Sequence, residues 1–266
     1  MIEQFIKKEY KIKEFDEKAD IYIINTCTVT NMADRKSRQM LRRAKELNPD
    51  SIIVACGCYA QVAKEELEKI PEIDVIYGTN EKNQIADLVD ALGTFPNAST
   101  VPFASEAEKN NTQKEAKVTD VMYQKEFLDF GVTDYTEKTR AVVKVQDGCD
   151  RFCSYCIIPY ARGRIRSRTM ESIKAELERL SASGFKEIVL TGINLSCYDD
   201  NGKKLIDVIE MADNVNGIER IRLGSLDPEV VTEDFVERLG KVKKICPHFH
   251  FSLQSGCDKT LKAMNR

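Results

Sequence analysis

Apolar and polar positions along this chain change period several times, and each change predicts an element. Ala19–Thr26 (ADIYIINT) is an apolar, β-branched run that reads as a strand. Met40, Leu41, Ala44 and Leu47 recur at helical spacing through Asp34–Leu47, and Asn48-Pro49 ends that helix. Ser51–Ala55 and Val75–Tyr77 read as further strands, and Ile2–Tyr10, Val62–Ile70 and Glu81–Leu92 as helices. In the last of these Ile85, Leu88, Val89 and Leu92 share one face. Alternation of β and α predicts a parallel sheet with helices packed on it. A second alternating series starts at Arg140, with strands Ala141–Gln146, Ile188–Thr191, Arg220–Leu226 and Phe249–Gln254. Between them lie helices Glu171–Ser183, Lys204–Asp213 and Thr232–Lys241. Thr94–Asn111 is rich in Pro, Ser, Ala, Asn and Thr and begins a linker, in which Phe127–Phe130 is a stretch able to pack. The expected organisation is an α/β domain over 1–95, a linker over 96–138 and a second α/β domain over 139–266. Four β/α units are too few to close an eight-stranded barrel, so the second domain is expected as a partial one.

The strands of the second series alternate with period two. Val143 and Val145 alternate with Lys144 and Gln146, Ile221 and Leu223 with Arg220 and Arg222, and Phe249, Phe251 and Leu253 with His250, Ser252 and Gln254. If helices cover the apolar side, the polar side lines the interior, where branched apolar residues are usual. Lys144, Gln146, Arg222 and Gln254 there point to a bound polar ligand. The alternative is the exposed face of an antiparallel sheet.

Composition narrows the partners. The 266 residues are 42% hydrophobic and 31% charged with a net charge of −3, which suits a packed globular chain and gives no broad basic footprint. Contact with nucleic acid must therefore be local. No apolar run approaches the roughly 18 residues of a membrane span, and Met1-Ile2-Glu3-Gln4-Phe5 lacks a signal-peptide layout. A cytoplasmic location and no membrane partner are expected. Nine cysteines, an odd count, then read as metal ligands or reactive thiols.

Cys149-Asp-Arg-Phe-Cys153-Ser-Tyr-Cys156 places three thiols within eight residues, just after the first strand of the second series. The C-terminal ends of strands are where α/β folds put their chemistry. Clustered thiolates suit iron–sulfur clusters or zinc. A structural zinc site closes with four protein ligands, and here the fourth is missing locally, though His248 or Cys197 could supply it.

The C-x3-C-x2-C spacing on this loop resembles the radical S-adenosylmethionine (SAM) superfamily. The longer string Gln146-Asp-Gly-Cys149 through Cys156-Ile-Ile-Pro-Tyr-Ala-Arg-Gly163, with Ser167-Arg168, resembles its methylthiotransferase family. So do Leu190-Thr-Gly-Ile-Asn194, Arg220-Ile-Arg-Leu-Gly-Ser225 and Ser252-Leu-Gln-Ser-Gly256. Cys246-Pro-His-Phe-His250 and the stretch Arg220–Pro228 look most like the branch acting on threonylcarbamoyladenosine in tRNA. The resemblance covers nearly the whole chain. It implies a Rossmann-like or flavodoxin-like parallel α/β domain followed by a partial (β/α) radical SAM barrel. It also implies an enzyme, a transferase that methylthiolates C2 of N6-threonylcarbamoyladenosine at position 37, beside the anticodon. Isopentenyladenosine in tRNA or an aspartate of a ribosomal protein are the sister substrates, and a non-catalytic metal-binding fragment is the reading of another class.

On this resemblance Cys149, Cys153 and Cys156 hold a 4Fe-4S cluster whose open iron binds SAM, and Gln146, Asn194, Arg222 and Gln254 are candidates to line the SAM site. A second 4Fe-4S cluster handles the inserted sulfur. Cys27 in Asn25-Thr-Cys27 and Cys58 in Gly57-Cys58-Tyr-Ala-Gln61 match two of its three ligands. The third lies after an earlier strand that this chain does not show, so truncation at the start is expected, and at the end as well, where the family carries more barrel and an RNA-binding β domain. Cys56 is a poor substitute. Implied partners are tRNA, a sulfur donor and an electron donor such as a flavodoxin or ferredoxin. Arg162, Arg164, Arg166 and Arg168 recur at every second position; extended, they would share one face and grip tRNA phosphates.

Overall fold

A computed structural model describes residues 2–93, 114–129 and 139–266. They form two compact units, one running to Met122 and taking in Tyr160–Arg162, the other made of Tyr123–Pro159 and Gly163–Arg266. Much of the expected linker, 94–113 and 130–138 with Phe130, lies outside the described residues.

In chain order the first unit contains α1 Ile2–Lys7, β1 Ile21–Thr26, α2 Asn31–Leu47, β2 Ile52–Gly57, α3 Cys58–Val62, α4 Lys64–Glu68, β3 Val75–Tyr77, α5 Ile85–Gly93 and β4 Glu115–Lys117. The strands make one parallel sheet in the order β1-β2-β3-β4. β2 is buried along its length, as a strand covered on both faces must be. Ile53 and Ala55 pack with Leu41, Ala44 and Leu67 on one side, while Val54 and Cys56 pack with Ile85 and Val89 on the other. Two expectations change. The helix read over Val62–Ile70 starts earlier and breaks at Ala63 (φ −130°, ψ 39°) into α3 and α4. The predicted linker contributes β4, which pairs with β3 through Val75↔Glu115. A three-residue edge strand, Glu-Ala-Lys, carries no period for a sequence to show; backbone pairing alone makes it.

The second unit contains β5 Arg140–Asp147, α6 Ile158–Arg162 (whose last three residues group with the first unit), β6 Arg166–Ser167, α7 Met170–Ala182, β7 Glu187–Gly192, the hairpin β8 Asp199–Asp200 and β9 Lys203–Lys204, α8 Leu205–Asp213, β10 Arg220–Leu223, α9 Glu233–Leu239 and α10 Asp258–Ala263. The main sheet runs β10-β7-β5-β6, with β5, β7 and β10 parallel and β6 antiparallel at the edge. Val143, Val145, Ile188, Leu190 and Ile221 pack with Ile173, Leu177 and Leu180 of α7 and Val208 and Ile209 of α8. The apolar side of the period-two pattern is thus the helix-covered side. The expected strand Phe249–Gln254 does not form. Only isolated parallel bridges, Ile221↔Ile245 and Leu226↔Phe251, continue the sheet. Pro247 between them has no N–H to give a ladder, and Phe249, Phe251 and Leu253 stay exposed. Among the described residues no helix is long and apolar enough to cross a membrane.

Candidate metal centre

The cysteine loop leaves β5 through Asp147-Gly148. Gly148 has φ +73°, and a Cβ there would lie 1.8 Å from the Arg164 carbonyl oxygen, so only glycine fits. The Cys149 amide donates to the Gly163 carbonyl (3.0 Å) and the Cys156 amide to the Cys153 carbonyl (2.9 Å), which folds the three cysteines into one compact turn. Phe152 between them sits at φ 48°, under the Arg164 guanidinium at 4.8 Å from its ring centre.

The residues after α10 strap this turn from outside. The Ser154 amide donates to the Met264 carbonyl (3.0 Å), and Asn265 Nδ2 donates to the Phe152 carbonyl (3.1 Å). Arg266 donates to Asp227 Oδ2 (2.9 Å) and to the Ser252 carbonyl (2.7 Å). Arg151 pairs with Glu229 and approaches Asp227 at 3.4 Å.

Cys149, Cys153 and Cys156 all line one pocket of about 190 Å³ at the C-terminal ends of the parallel strands. Among the described residues no three His, Cys, Asp or Glu side chains converge on a point where a single ion would bind them. Three soft thiols lining one pocket are nonetheless a donor set that suits an iron–sulfur cluster. Burial pushes the Cys156 thiol up, and Cys149 and Cys153 add to the effect, while the Ile158 amide offsets it. Metal binding, which requires the thiolate, would have to overcome this. His248 and Cys197 do not line the pocket.

The four candidates for the SAM site separate. Asn194 and Gln254 line the pocket with the cysteines. Gln146 does not: fully buried, it donates to the Asp147 and Gly148 carbonyls (2.8 and 2.7 Å) and accepts from the Asn194 amide (2.8 Å). It ties the cysteine loop to the loop after β7. Arg222 does not line the pocket either; its Nε donates to Glu187 on the adjacent strand at 2.6 Å. Period-two alternation put both on the polar side but could not say how deep on that side each lies.

In the first unit β1 and β2 pair in register with Thr26 opposite Gly57, so Cys27 and Cys58 each follow the end of adjacent parallel strands. Cys27 is exposed, its amide held by Ser37 Oγ of α2 at 3.3 Å. Cys58 opens α3, and Arg162 Nε donates to its sulfur at 3.1 Å. Cys56 lies in the core beneath, and burial pushes its thiol up to about 11. Two thiols thus follow the ends of adjacent strands, and the three-ligand set implied by resemblance is incomplete among the described residues.

The arginine series does not form one face. Arg162 ends α6, where it meets Cys58; Arg164 is exposed, 3.5 Å from Asp150. Arg166 is buried and reaches Asp147 at 3.7 Å, and Arg168 is buried against Glu176 and Asp129. A helix ends and a two-residue strand begins within the series, so alternate positions do not point the same way, and ion pairs draw the last two inward.

Residues 143–266 match the family model of the radical SAM superfamily. That stretch belongs to the superfamily. Residues 1–78 match uncharacterized protein family UPF0004. It is 39% identical over 264 residues to threonylcarbamoyladenosine tRNA methylthiotransferase MtaB of Aquifex aeolicus, across 99% of the chain and 60% of that relative. Identity to MtaB of Bacillus subtilis is 38%, across 98% and 55%. Identity to the tRNA-2-methylthio-N(6)-dimethylallyladenosine synthase of Clostridium botulinum is 35%, across 98% and 56%. The chain spans between half and two thirds of the length of these curated relatives. Among solved structures, the radical SAM methyltransferase TsrM of Kitasatospora setae superposes with a TM-score of 0.60 at 17% identity, over 97% of this chain and 52% of that one. The cobalamin-dependent SAM radical enzyme OxsB gives 0.56 at 15%, over 100% and 39%. At such identities the likeness is one of fold. The radical SAM pocket also takes in Arg151, Ser225, Asp227 and Arg266, which the sequence does not single out. They reach it from three separate stretches of the chain, at 151, at 225–227 and at 266, beyond any local pattern.

Proposed function

We propose that this chain is part of a tRNA methylthiotransferase that adds a methylthio group to C2 of N6-threonylcarbamoyladenosine at position 37, working in the cytoplasm with tRNA, a sulfur donor and a one-electron donor. The observation that carries the reading is the pocket at the strand ends, with Cys149, Cys153 and Cys156 on its wall, in a chain 34–39% identical to several MtaB proteins. A 4Fe-4S cluster bound there supplies the electron that cleaves SAM. Cys149, Cys153 and Cys156 would hold it by three thiolates, with no fourth protein thiol in the pocket lining. Asn194 and Gln254 offer amides to SAM, and Arg151 and Arg266, both held by Asp227, make the lining polar and leave one positive charge for a carboxylate. Ile158, Ile193 and Leu226 make the apolar part of the lining. For the second cluster Cys27 and Cys58 supply two thiols only, and no step is derived from it.

Anaerobic reconstitution with iron and sulfide should give a brown protein that releases 5′-deoxyadenosine from SAM on reduction; a colourless protein with stoichiometric zinc would overturn the reading. The dimethylallyladenosine-directed relative marks the sister specificity. Mass spectrometry of tRNA from a deletion strain carrying this chain separates the two, because only one of the modified adenosines gains the methylthio group.

A further inference from the structure

We infer that the outer face of α2 is the surface on which this protein holds the phosphates of its RNA substrate, an inference that rests on the tRNA reading above. The helix carries six cations, Arg35, Lys36, Arg38, Arg42, Arg43 and Lys45, against two acids, Asp34 and Glu46, in a chain whose net charge is −3. Its inner face is defined by Ser37, Leu41 and Ala44, all buried. The residues opposite, by helical spacing, are Met32, Arg35, Lys36, Gln39, Arg42 and Arg43, and no acid interrupts them until Glu46 in the last turn. Three of the six cations have structural work: Arg38 donates to the Tyr59 hydroxyl (2.6 Å), Arg43 pairs with Asp16 (2.7 Å) and Lys45 with Asp74 (3.2 Å). Arg35, Lys36 and Arg42 are exposed and have no ion-pair partner among the described residues.

A helix face shaped only by folding mixes signs, because like charges three and four positions apart, such as Arg38 and Arg42, disfavour the helix. A run of cations left unpaired costs stability and is what a polyanion would offset. Arginine fits phosphate oxygens with two parallel bonds. Exposed Met32 and Met40 on the same helix add apolar surface of the sort that bases can lie against. Position supplies the second argument. α2 starts at Asn31, four residues after Cys27, so Arg35 and Lys36 lie within the first two turns beyond the loop that carries Cys27.

The test is fluorescence anisotropy of labelled tRNA with the full chain across a series of KCl concentrations. Replacing the three residues together (R35A, K36A, R42A) removes three phosphate contacts. It should lower affinity at least tenfold at low salt and reduce the slope of log K against log salt by about 2–3. The pair R35K and R42K should keep the slope, and K174A, K203A and K243A together should change nothing. An unaltered far-UV spectrum and melting temperature will show that the alanine variant folds. Unchanged affinity and slope would overturn the inference. So would absence of tRNA binding by the unmodified chain, or a variant that keeps tRNA but loses an acidic flavodoxin. If the variant weakens tRNA binding while the unmodified chain makes no methylthiolated product in cells, the surface stands and the activity reading falls.

Discussion

Gly148 is the position at which the cysteine loop is least tolerant. Its φ of +73° and the 1.8 Å approach of the Arg164 carbonyl to any Cβ mean that Gly148→Ala must displace backbone. A left-handed non-glycine residue costs on the order of 1–3 kcal/mol before the clash is counted. We expect a lower melting temperature and, after reconstitution, less bound iron than in the unmodified chain; an equal iron content would refute the role given to this turn. The cysteines divide in the same residue-level way. Cys27 is exposed, whereas the Cys56 thiol is pushed up to about 11 by burial in the core. In the apo protein at pH 8, iodoacetamide should therefore carbamidomethylate Cys27 and leave Cys56 untouched, as read by peptide mass spectrometry. Rapid labelling of Cys56 would show that it is available as a substitute ligand after all. Cysteine spacing and the glycine before it are legible in the sequence because they are local. That Gln146 is a bracket between two loops, not a lining residue, is not legible, because Gly148 and Asn194 become its partners only on folding.

Most elements follow from their own periodicity, since a helix or a strand with one buried face must repeat its apolar positions. α2, α7, α8, β1, β2, β3, β5 and β7 all lie within a few residues of where the pattern puts them. The failures are the helix read over Val62–Ile70, which breaks at Ala63, together with β4 and the segment after Pro247, where the backbone's partners decide and the side chains say little. Two element-scale predictions follow from pairing across the fold. The strap after α10 holds the cysteine turn by the Ser154–Met264 and Asn265–Phe152 bonds. Asn265→Ala removes one of these, worth about 1 kcal/mol, and should speed hydrogen exchange of the Ser154 amide severalfold; unchanged exchange would mean that the strap does not hold the turn. Glu187 on β7 is held below the usual carboxylate range chiefly by the Arg222 hydrogen bond, with Arg220 adding to it. A depressed folded-state value stabilises the fold above the ordinary glutamate pKa and ceases to do so as pH falls through the lowered one. The melting temperature should therefore drop on acidification below about pH 4.5, and Glu187→Gln should remove part of that dependence while lowering stability near neutrality. An identical pH profile in the variant would place the acid sensitivity elsewhere.

At the scale of the whole molecule, each of the two units has its own sheet and its own thiols at strand ends, an arrangement that α/β topology produces wherever loops leave a parallel sheet. Cys149→Ala should abolish SAM cleavage and leave the unit of Tyr123–Pro159 and Gly163–Arg266 folded, since its side chain is no part of the apolar core. Circular dichroism and 5′-deoxyadenosine assay together check this, and retained cleavage would remove the cysteine loop from the chemistry. By itself the sequence determined the α/β class, the cysteine loop after β5 and the places of Cys27 and Cys58 after strands, because periodicity, spacing and strand ends are properties of neighbours along the chain. Only the tertiary structure decided which polar groups reach the pocket, and that Arg166 and Arg168 are drawn into ion pairs while Arg35, Lys36 and Arg42 are left facing solvent. Charge alternation along a chain specifies direction only if the backbone stays extended, and whether a cation is paired depends on acids brought to it from elsewhere in the fold.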